Sequence, residues 1–310
     1  MASDSALERL SWCFGASPLY LLLSSLVITK KSWLPYTKSS PRTNNMSTTT
    51  TSPMQATSDD TRTYHSFPGA HYILPADEIE KERLDRQHRL LKRAYDDKLI
   101  WVPVDLVPGS AVLDAGAGSG AWLLDLADQV PGGVQLYGID IESRLFPPPQ
   151  PNIEFINGSV TALPSEWSSA FQLIEESGAG PLNLESGPVT TRFHDMIFKL
   201  NASREHIYDC ALHIPKFLAD AGFVNVRAEV RGIPLGKWAG KEGCENRDNI
   251  VDICRGIKTP VLKARGFGYV STGDEFDRFL AEVAEEWDNT PGSKWNFTIF
   301  SAQKPVSEDA

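Results

Sequence analysis

One stretch limits the folds open to this chain more than any other: Val112-Leu113-Asp114-Ala115-Gly116-Ala117-Gly118-Ser119-Gly120-Ala121-Trp122. Two apolar residues run into an acid, glycines then alternate with small residues, and the amphipathic run Trp122-Leu123-Leu124-Asp125-Leu126-Ala127 follows. The order reads strand, tight turn, helix. Glycine is needed where backbone passes close to a ligand or takes positive φ. The turn opens onto a helix N-terminus, whose free N–H groups and dipole favour a carboxylate or phosphate. The stretch is therefore expected to be the ligand loop of an α/β domain of the nucleotide-binding kind.

The residues around it extend that pattern. Strands are expected over 111–114, 134–140 and 152–156, with a helix over 120–130. The second strand ends in Asp140, and Asn157-Gly158-Ser159-Val160 follows the third. Strands alternating with helices predict a parallel sheet covered on both faces. Ligands in such sheets lie at the carboxyl ends of the strands, so Gly116–Gly120, Asp140 and Ser159 should surround one crevice. Upstream, Tyr72-Ile73-Leu74-Pro75 leads into a helix over 76–95, acidic in its first turn and basic in its last. Ile79, Leu84, Leu91 and Ala94 form its expected apolar stripe, and it serves either as packing beside the core or as a lid over the crevice. Downstream, a strand is expected over 170–174 and a Gly/Pro/Glu-rich loop over 175–188. Helices are expected over 189–200, 203–221, 246–264 and 274–287, and strands over 223–230 and 295–302.

Charge and cysteine content narrow the function. The net charge is -10 with no strongly basic stretch, which argues against a nucleic-acid partner. The 4 cysteines are scattered with no CxxC pair, so neither a metal site nor a disulfide framework is expected, and a reducing compartment, cytoplasm or nucleus, fits. Residues 1–62 differ from the rest and read as a disordered or non-native extension. Within it Trp12–Ile28 is mostly apolar, but it is broken by Pro18, short for a membrane span and without a basic n-region. A signal-anchor, a disordered tail and a natural start at Met46 or Met54 all stay open for this segment; a membrane partner is not expected.

Two ligand classes compete for the glycine loop. Gly116–Ala121 fits the dinucleotide pattern GxGxxG/A. Against that, Asp114 directly before the glycines suits the ammonium of a methionine moiety and would repel a pyrophosphate. Asp140 at a strand end can accept both hydroxyls of a ribose, which either ligand carries. The closing strand after long helices matches methyltransferase sheets with a terminal antiparallel strand.

On these residues, Val112–Ala121 with Gly138-Ile139-Asp140 resembles motif I and the strand-two acid of class I S-adenosylmethionine-dependent methyltransferases. More narrowly, the chain is similar to the fungal LaeA-like group through Tyr72–His88, Arg231-Gly232-Ile233-Pro234-Leu235-Gly236, Gly266-Phe267-Gly268 and Glu286-Trp287-Asp288. The resemblance runs from about Tyr64 to Pro305. It implies a seven-stranded Rossmann-like α/β sheet with helices on both faces and S-adenosyl-L-methionine as cofactor. It also implies methyl transfer to a small metabolite or a protein side chain, with a place in fungal secondary metabolism. Asp114, Gly116, Ala117, Gly118, Gly120, Asp140 and Ser159 are the cofactor-binding candidates. The domain is expected over 63–310, with a cofactor half at 108–167 and a helical insertion at 231–290 in the C-terminal half.

The chain departs from the family twice. Ser159 stands where the family carries an acid toward the adenine amino group. Between Phe171 and Ser186 only Phe171–Glu176 is strand-like, where the family has strand four, two helices, a Lys-Pro-Gly-Gly turn and strand five. A parallel crossover takes about a dozen residues or more, so the sheet is expected to lack one strand-helix unit, as in an exon-skipped product. That favours a non-catalytic, cofactor-binding regulator as the alternative reading, with an NAD(P)-dependent oxidoreductase as the third. Glu175, Glu176, His194 and His206 are the only candidate bases, and none is assigned a catalytic role.

Overall fold

The computed structural model describes residues 26–30, 62–64, 67, 72–101, 103–159, 173–179, 186–204, 210–220 and 222–303. Its strands are β1 (Leu26–Lys30), β2 (Ala111–Ala115), β3 (Gln135–Asp140), β4 (Ile153–Asn157), β5 (Leu173–Ala179), β6 (Val224–Pro234) and β7 (Lys294–Gln303). Its α-helices are α1 (Glu78–Ala94), α2 (Ala121–Ala127), α3 (Pro188–Ala202), α4 (Cys210–Asp220), α5 (Gly240–Gly256), α6 (Lys258–Lys263) and α7 (Gly273–Asn289). The strands form one seven-stranded sheet in the order β4-β3-β2-β1-β5-β7-β6.

Residues 111–157 follow the expected alternation of strand and helix. All five residues of β2 are buried, which suits a central strand covered on both faces. β2, β3 and β4 run parallel, with Asp114 opposite Gly138 and Asp140 opposite Asn157. Val112, Leu123, Leu126, Val134, Leu136 and Ile153 pack together between this part of the sheet and α2. A larger cluster gathers Phe193, Phe276, Val283, Trp287 and Phe297 from α3, α7 and β7, and takes in Ile73, Leu74 and Tyr95 beside α1.

The fourth place in the sheet departs from expectation. β1 lies between β2 and β5 and is antiparallel to both. It comes from the segment read as an extension, so for Leu26–Lys30 that reading is corrected: five residues of the segment are part of the central sheet. The rest of 1–61, including the start at Met46 or Met54, lies outside the described residues. Between β4 and β5 no further strand is present among the described residues, and the sheet still reaches seven strands because one is supplied from upstream.

Three smaller corrections concern local structure. The strand expected over 170–174 is β5, so 175–179 is strand where loop was expected. Of the helix expected over 203–221, the described part is α4, while Ser203 instead caps α3. The buried side of α1 is polar: Glu80, Arg83 and Gln87 are buried with Leu90, while Ile79 is 63% exposed.

Candidate functional site

The glycine loop joins β2 to α2. Gly118 and Gly120 take φ of 53° and 74°, a region costly for residues with a Cβ. Space reinforces the requirement. A Cβ on Gly120 would stand 2.6 Å from the Phe155 ring, and one on Gly118 would stand 3.2 Å from Leu84 Cδ1 of α1. At its start the loop is pinned to β3: the Gly116 and Ala117 amides donate to the Ile139 carbonyl at 2.7 and 3.1 Å.

Asp140 closes the crevice from the end of β3. One carboxylate oxygen accepts from the Gly118 amide at 2.8 Å, and the other accepts from the Glu142 amide at 2.9 Å. The Asp140 carbonyl takes the Gly158 amide at 2.8 Å and Asn157 Nδ2 at 3.2 Å. Those bonds hold the turn carrying Ser159 beside Asp140. The parallel register puts Asp114 and Asp140 on the sheet face that α2 covers. Asp114 is 1% exposed. Packing around Asp140 pushes its carboxyl up to about 6, against the opposing pull of the Gly118 and Glu142 amides. The structure thus brings the glycine loop, Asp140 and the Ser159 turn to one crevice, with Asp114 behind it.

Helix α1 lies over this crevice. Leu84 faces Gly118, while His88 Nε2 and Lys92 Nζ meet Asp125 of α2 at 2.8 and 2.7 Å. Burial lowers the His88 pKa, against the opposing pull of Asp125. Asp77 caps the helix by accepting from the Glu80 amide at 3.1 Å. Beneath it, Arg83 bridges Glu80 at 2.7 Å and donates to Gln87 Oε1 at 2.7 Å, and Asn249 of α5 reaches the same oxygen at 3.4 Å. Tyr72 is held protonated by burial, and then by the nearby charges of Glu80 and Asp140. Sequence reasoning missed this buried ionic group. Its signal was the 80, 83, 87 spacing of polar residues along one helix face, masked by an apolar stripe that proved to be partly exposed.

The remaining candidates are dispersed. Glu175 pairs in register with Val27, which pairs on its other side with Asp114, so Glu175 stands level with Asp114 across the sheet. His194 is on α3, which packs against α7, and burial lowers its pKa. His206 lies outside the described residues. Among the described residues no group of His, Cys, Asp and Glu is placed to hold a metal ion, and no helix is long and apolar enough to cross a membrane.

The chain is similar in sequence to known proteins. The N-methyltransferase sirN of Leptosphaeria maculans is 32% identical over 241 residues, spanning 71% of this chain and 80% of that protein. The secondary metabolism regulator laeA of Aspergillus fumigatus is 31% identical over 289 residues, 79% of this chain and 76% of its own length. The chain belongs to the LaeA-like class I S-adenosylmethionine-dependent methyltransferases. The N-methyltransferase tcpN of Claviceps purpurea is a further relative of this methyltransferase, at 26% identity over 71% of the chain and 92% of tcpN. No profile of a known protein family matches the chain. Among solved structures, a methyltransferase from Geobacter sulfurreducens in complex with S-adenosyl-L-homocysteine overlaps 70% of this chain and 98% of its own, with a TM-score of 0.36 and 14% identity.

The other stretches shared with the LaeA-like group have structural work. Glu286 of α7 caps α3, accepting from the Val189 and Thr190 amides at 2.8 Å each. Trp287 is fully buried and donates to Thr190 Oγ1 at 3.0 Å. Asp288 accepts from the Lys237 amide at 3.0 Å and Arg247 at 2.5 Å. Gly236 lies so close to the Trp287 carbonyl that a side chain has no room.

Proposed function

We propose that this methyltransferase binds S-adenosylmethionine in the crevice between the glycine loop and Asp140, and methylates a nitrogen of a small metabolite. The observation that carries the reading is the bond from the Gly118 amide to Asp140 across the crevice. It ties the glycine turn to the strand acid at the carboxyl ends of two parallel strands, where such sheets take their ligands. The residues fit the cofactor. Asp140 offers two oxygens to ribose hydroxyls, Asp114 offers negative charge to the methionine ammonium, and Ser159 offers a hydroxyl to the adenine edge. Gly116, Ala117, Gly118 and Gly120 let the backbone lie against the ligand. Two acids on one face suit a cation better than a pyrophosphate, which speaks against NAD(P).

When bound, the cofactor supplies an electrophilic methyl group, so the protein's part is mainly to hold an acceptor in line and keep water out. α1, with Leu84 over Gly118, covers the loop as a lid. A neutral amine needs no strong base. The names of sirN and tcpN as N-methyltransferases support nitrogen as the acceptor.

Calorimetry tests the cofactor. Micromolar binding of S-adenosylmethionine or S-adenosylhomocysteine, with none of NAD(P), is expected; the reverse would overturn the assignment. Labelled methyl groups offered with a fungal extract test the acceptor, and label is expected in a small-molecule fraction. A second reading, a cofactor-binding regulator, is favoured by the unusual fourth strand and by the likeness to laeA. It predicts cofactor binding without label transfer to any fraction.

A further inference from the structure

β6 ends the sheet on the side away from β4. It pairs with β7 over its 11 residues, and no described strand pairs with its other edge. Such an edge carries unpaired N–H and C=O groups, a template onto which another strand can add. Both ends of β6 are blunted. Near the start the register slips by one residue between Val224 and Arg227, where Asn225 takes φ of 54°, and a bulge of this kind bends the strand and interrupts its ladder. At the finish Pro234 has no N–H to donate. Between them Arg227–Ile233 pairs with Ser301–Trp295 without a break, and this stretch contains neither proline nor lysine.

That stretch is complementary to itself. A two-fold contact makes every pairing occur twice, and charges directly opposite across two strands stabilise when unlike and destabilise when alike. With a second copy laid antiparallel about Val230, Glu229 stands opposite Arg231 at both crossings, Ala228 stands opposite Gly232, and Val230 meets itself. Centred on Glu229 instead, Arg227 would face Arg231 twice; centred on Arg231, that residue would face its own copy. Centred on Ala228, Val230 and Arg231 would fall opposite Val226 and Asn225, within the bulge. The Val230 centre is thus the register that both the charges and the bulge permit. Val230 is 58% exposed in the single chain, so the contact covers apolar surface. Arg231 is already held: it meets Asp96 and Glu229 at 3.2 Å each and lies over the rings of Tyr95 and Trp101. Little side-chain freedom is left for it to lose on docking.

We propose that the outer edge of β6 is an interaction surface for a second copy of this chain, added antiparallel about Val230, so that the two sheets continue into one. The contact runs only from Arg227 to Ile233 on each side, which suits a dimer that forms at micromolar chain rather than an obligate one. The crevice at β2 and β3 lies toward the other end of the sheet, so each copy keeps its own crevice clear.

The test uses the full-length chain and does not depend on the cofactor. Sedimentation at about 100 µM chain should give the mass of two chains; the mass of one chain would overturn the proposal. Cysteines then read the register. The two copies of Val230→Cys face each other across the axis, with Cα atoms about 4.5–5.5 Å apart, within reach of a disulfide. The two copies of Ala228→Cys stand about 14 Å apart along the strands, beyond reach. Oxidation should link Val230→Cys chains in pairs and link Ala228→Cys no more than the unmodified chain, and any other pattern would overturn the register. Charge gives an independent arm. Glu229→Arg and Arg231→Glu each set like charges opposite one another, so each alone should dimerise at least about tenfold more weakly. Mixed one to one they meet with unlike charges at both crossings, and association should recover to within about threefold of the unmodified chain. A mixture that stays as weak as its parts, with both variants folded by circular dichroism, would overturn the proposal.

Discussion

The carboxyl group of Asp140 is pushed up to about 6 by the packing around it, even though the Gly118 and Glu142 amides both donate to it. An unfolded aspartate releases its proton near 3.9. Between those values the native state keeps a proton that the unfolded chain has lost, so this group's contribution to stability falls as pH rises from about 4 to about 6. With Asp140 holding the ribose as proposed, ligand binding should run the other way, because an ionised carboxylate accepts hydroxyls best. Calorimetric affinity for S-adenosylmethionine should tighten about tenfold between pH 5 and pH 7, and Asp140→Asn should flatten that dependence while weakening binding at pH 7 by about 10–100-fold. The two loop glycines should differ in kind. Gly120→Ala drives a methyl into the Phe155 ring from a positive-φ position and should cost about 2–4 kcal/mol in urea unfolding. Gly118→Ala meets only the tip of Leu84, so it should cost less stability and show mainly as lost cofactor affinity.

Among the elements, α1 and α7 show what could be read from the sequence and what could not. The ends of α1 were legible, because Asp77 and the charge gradient are local signals: the expected 76–95 became Glu78–Ala94. Its inner face was not. Glu80, Arg83 and Gln87 pair with one another at helical spacing, which the sequence could have shown, but the α5 side of their surroundings, with Asn249 reaching Gln87 from 162 positions away, is carried by no local pattern. Glu286-Trp287-Asp288 was legible as shared sequence and silent as to purpose, since its partners Thr190, Lys237 and Arg247 lie on other elements. That purpose is testable. Glu286→Ala leaves the first amides of α3 without their acceptor and should lower unfolding stability by about 1–3 kcal/mol, with S-adenosylmethionine affinity changed less than twofold. Helix α1 has its own pH response. Burial depresses the His88 pKa, so the unfolded chain takes up a proton first as pH falls below about 6.5, and stability supplied by this residue is lost in that direction. His88→Gln should remove that part of the acid loss in a pH series of thermal melts.

For the molecule as a whole, the described residues include one core cluster around α2 and one around α7, joined in the sheet by β1 and overhead by α1. Tyr95 at the end of α1 donates to the Phe297 carbonyl of β7 at 2.8 Å, a contact that ties α1 to the far half. Ile28→Pro removes a ladder N–H and disfavours the backbone before it, so urea unfolding that is a single transition in the natural chain should separate into two, followed by near-UV circular dichroism. The order of strands β4-β3-β2 was legible because each βα step is local. The place of β1 was not, since its partners lie about 80 and about 140 positions downstream, and sequence periodicity does not report pairing at that range. The same separation has a consequence on the ribosome. Leu26–Lys30 is made early, yet the second of its two neighbours is not finished until Ala179 has emerged. At about 5–20 residues per second the segment waits roughly 7–30 s for a complete berth. During that interval its apolar, β-branched backbone is open to chaperones and to neighbouring nascent chains, so the yield of active protein in a cell should depend on translation speed between residues 30 and 180 more than on the final stability of the fold.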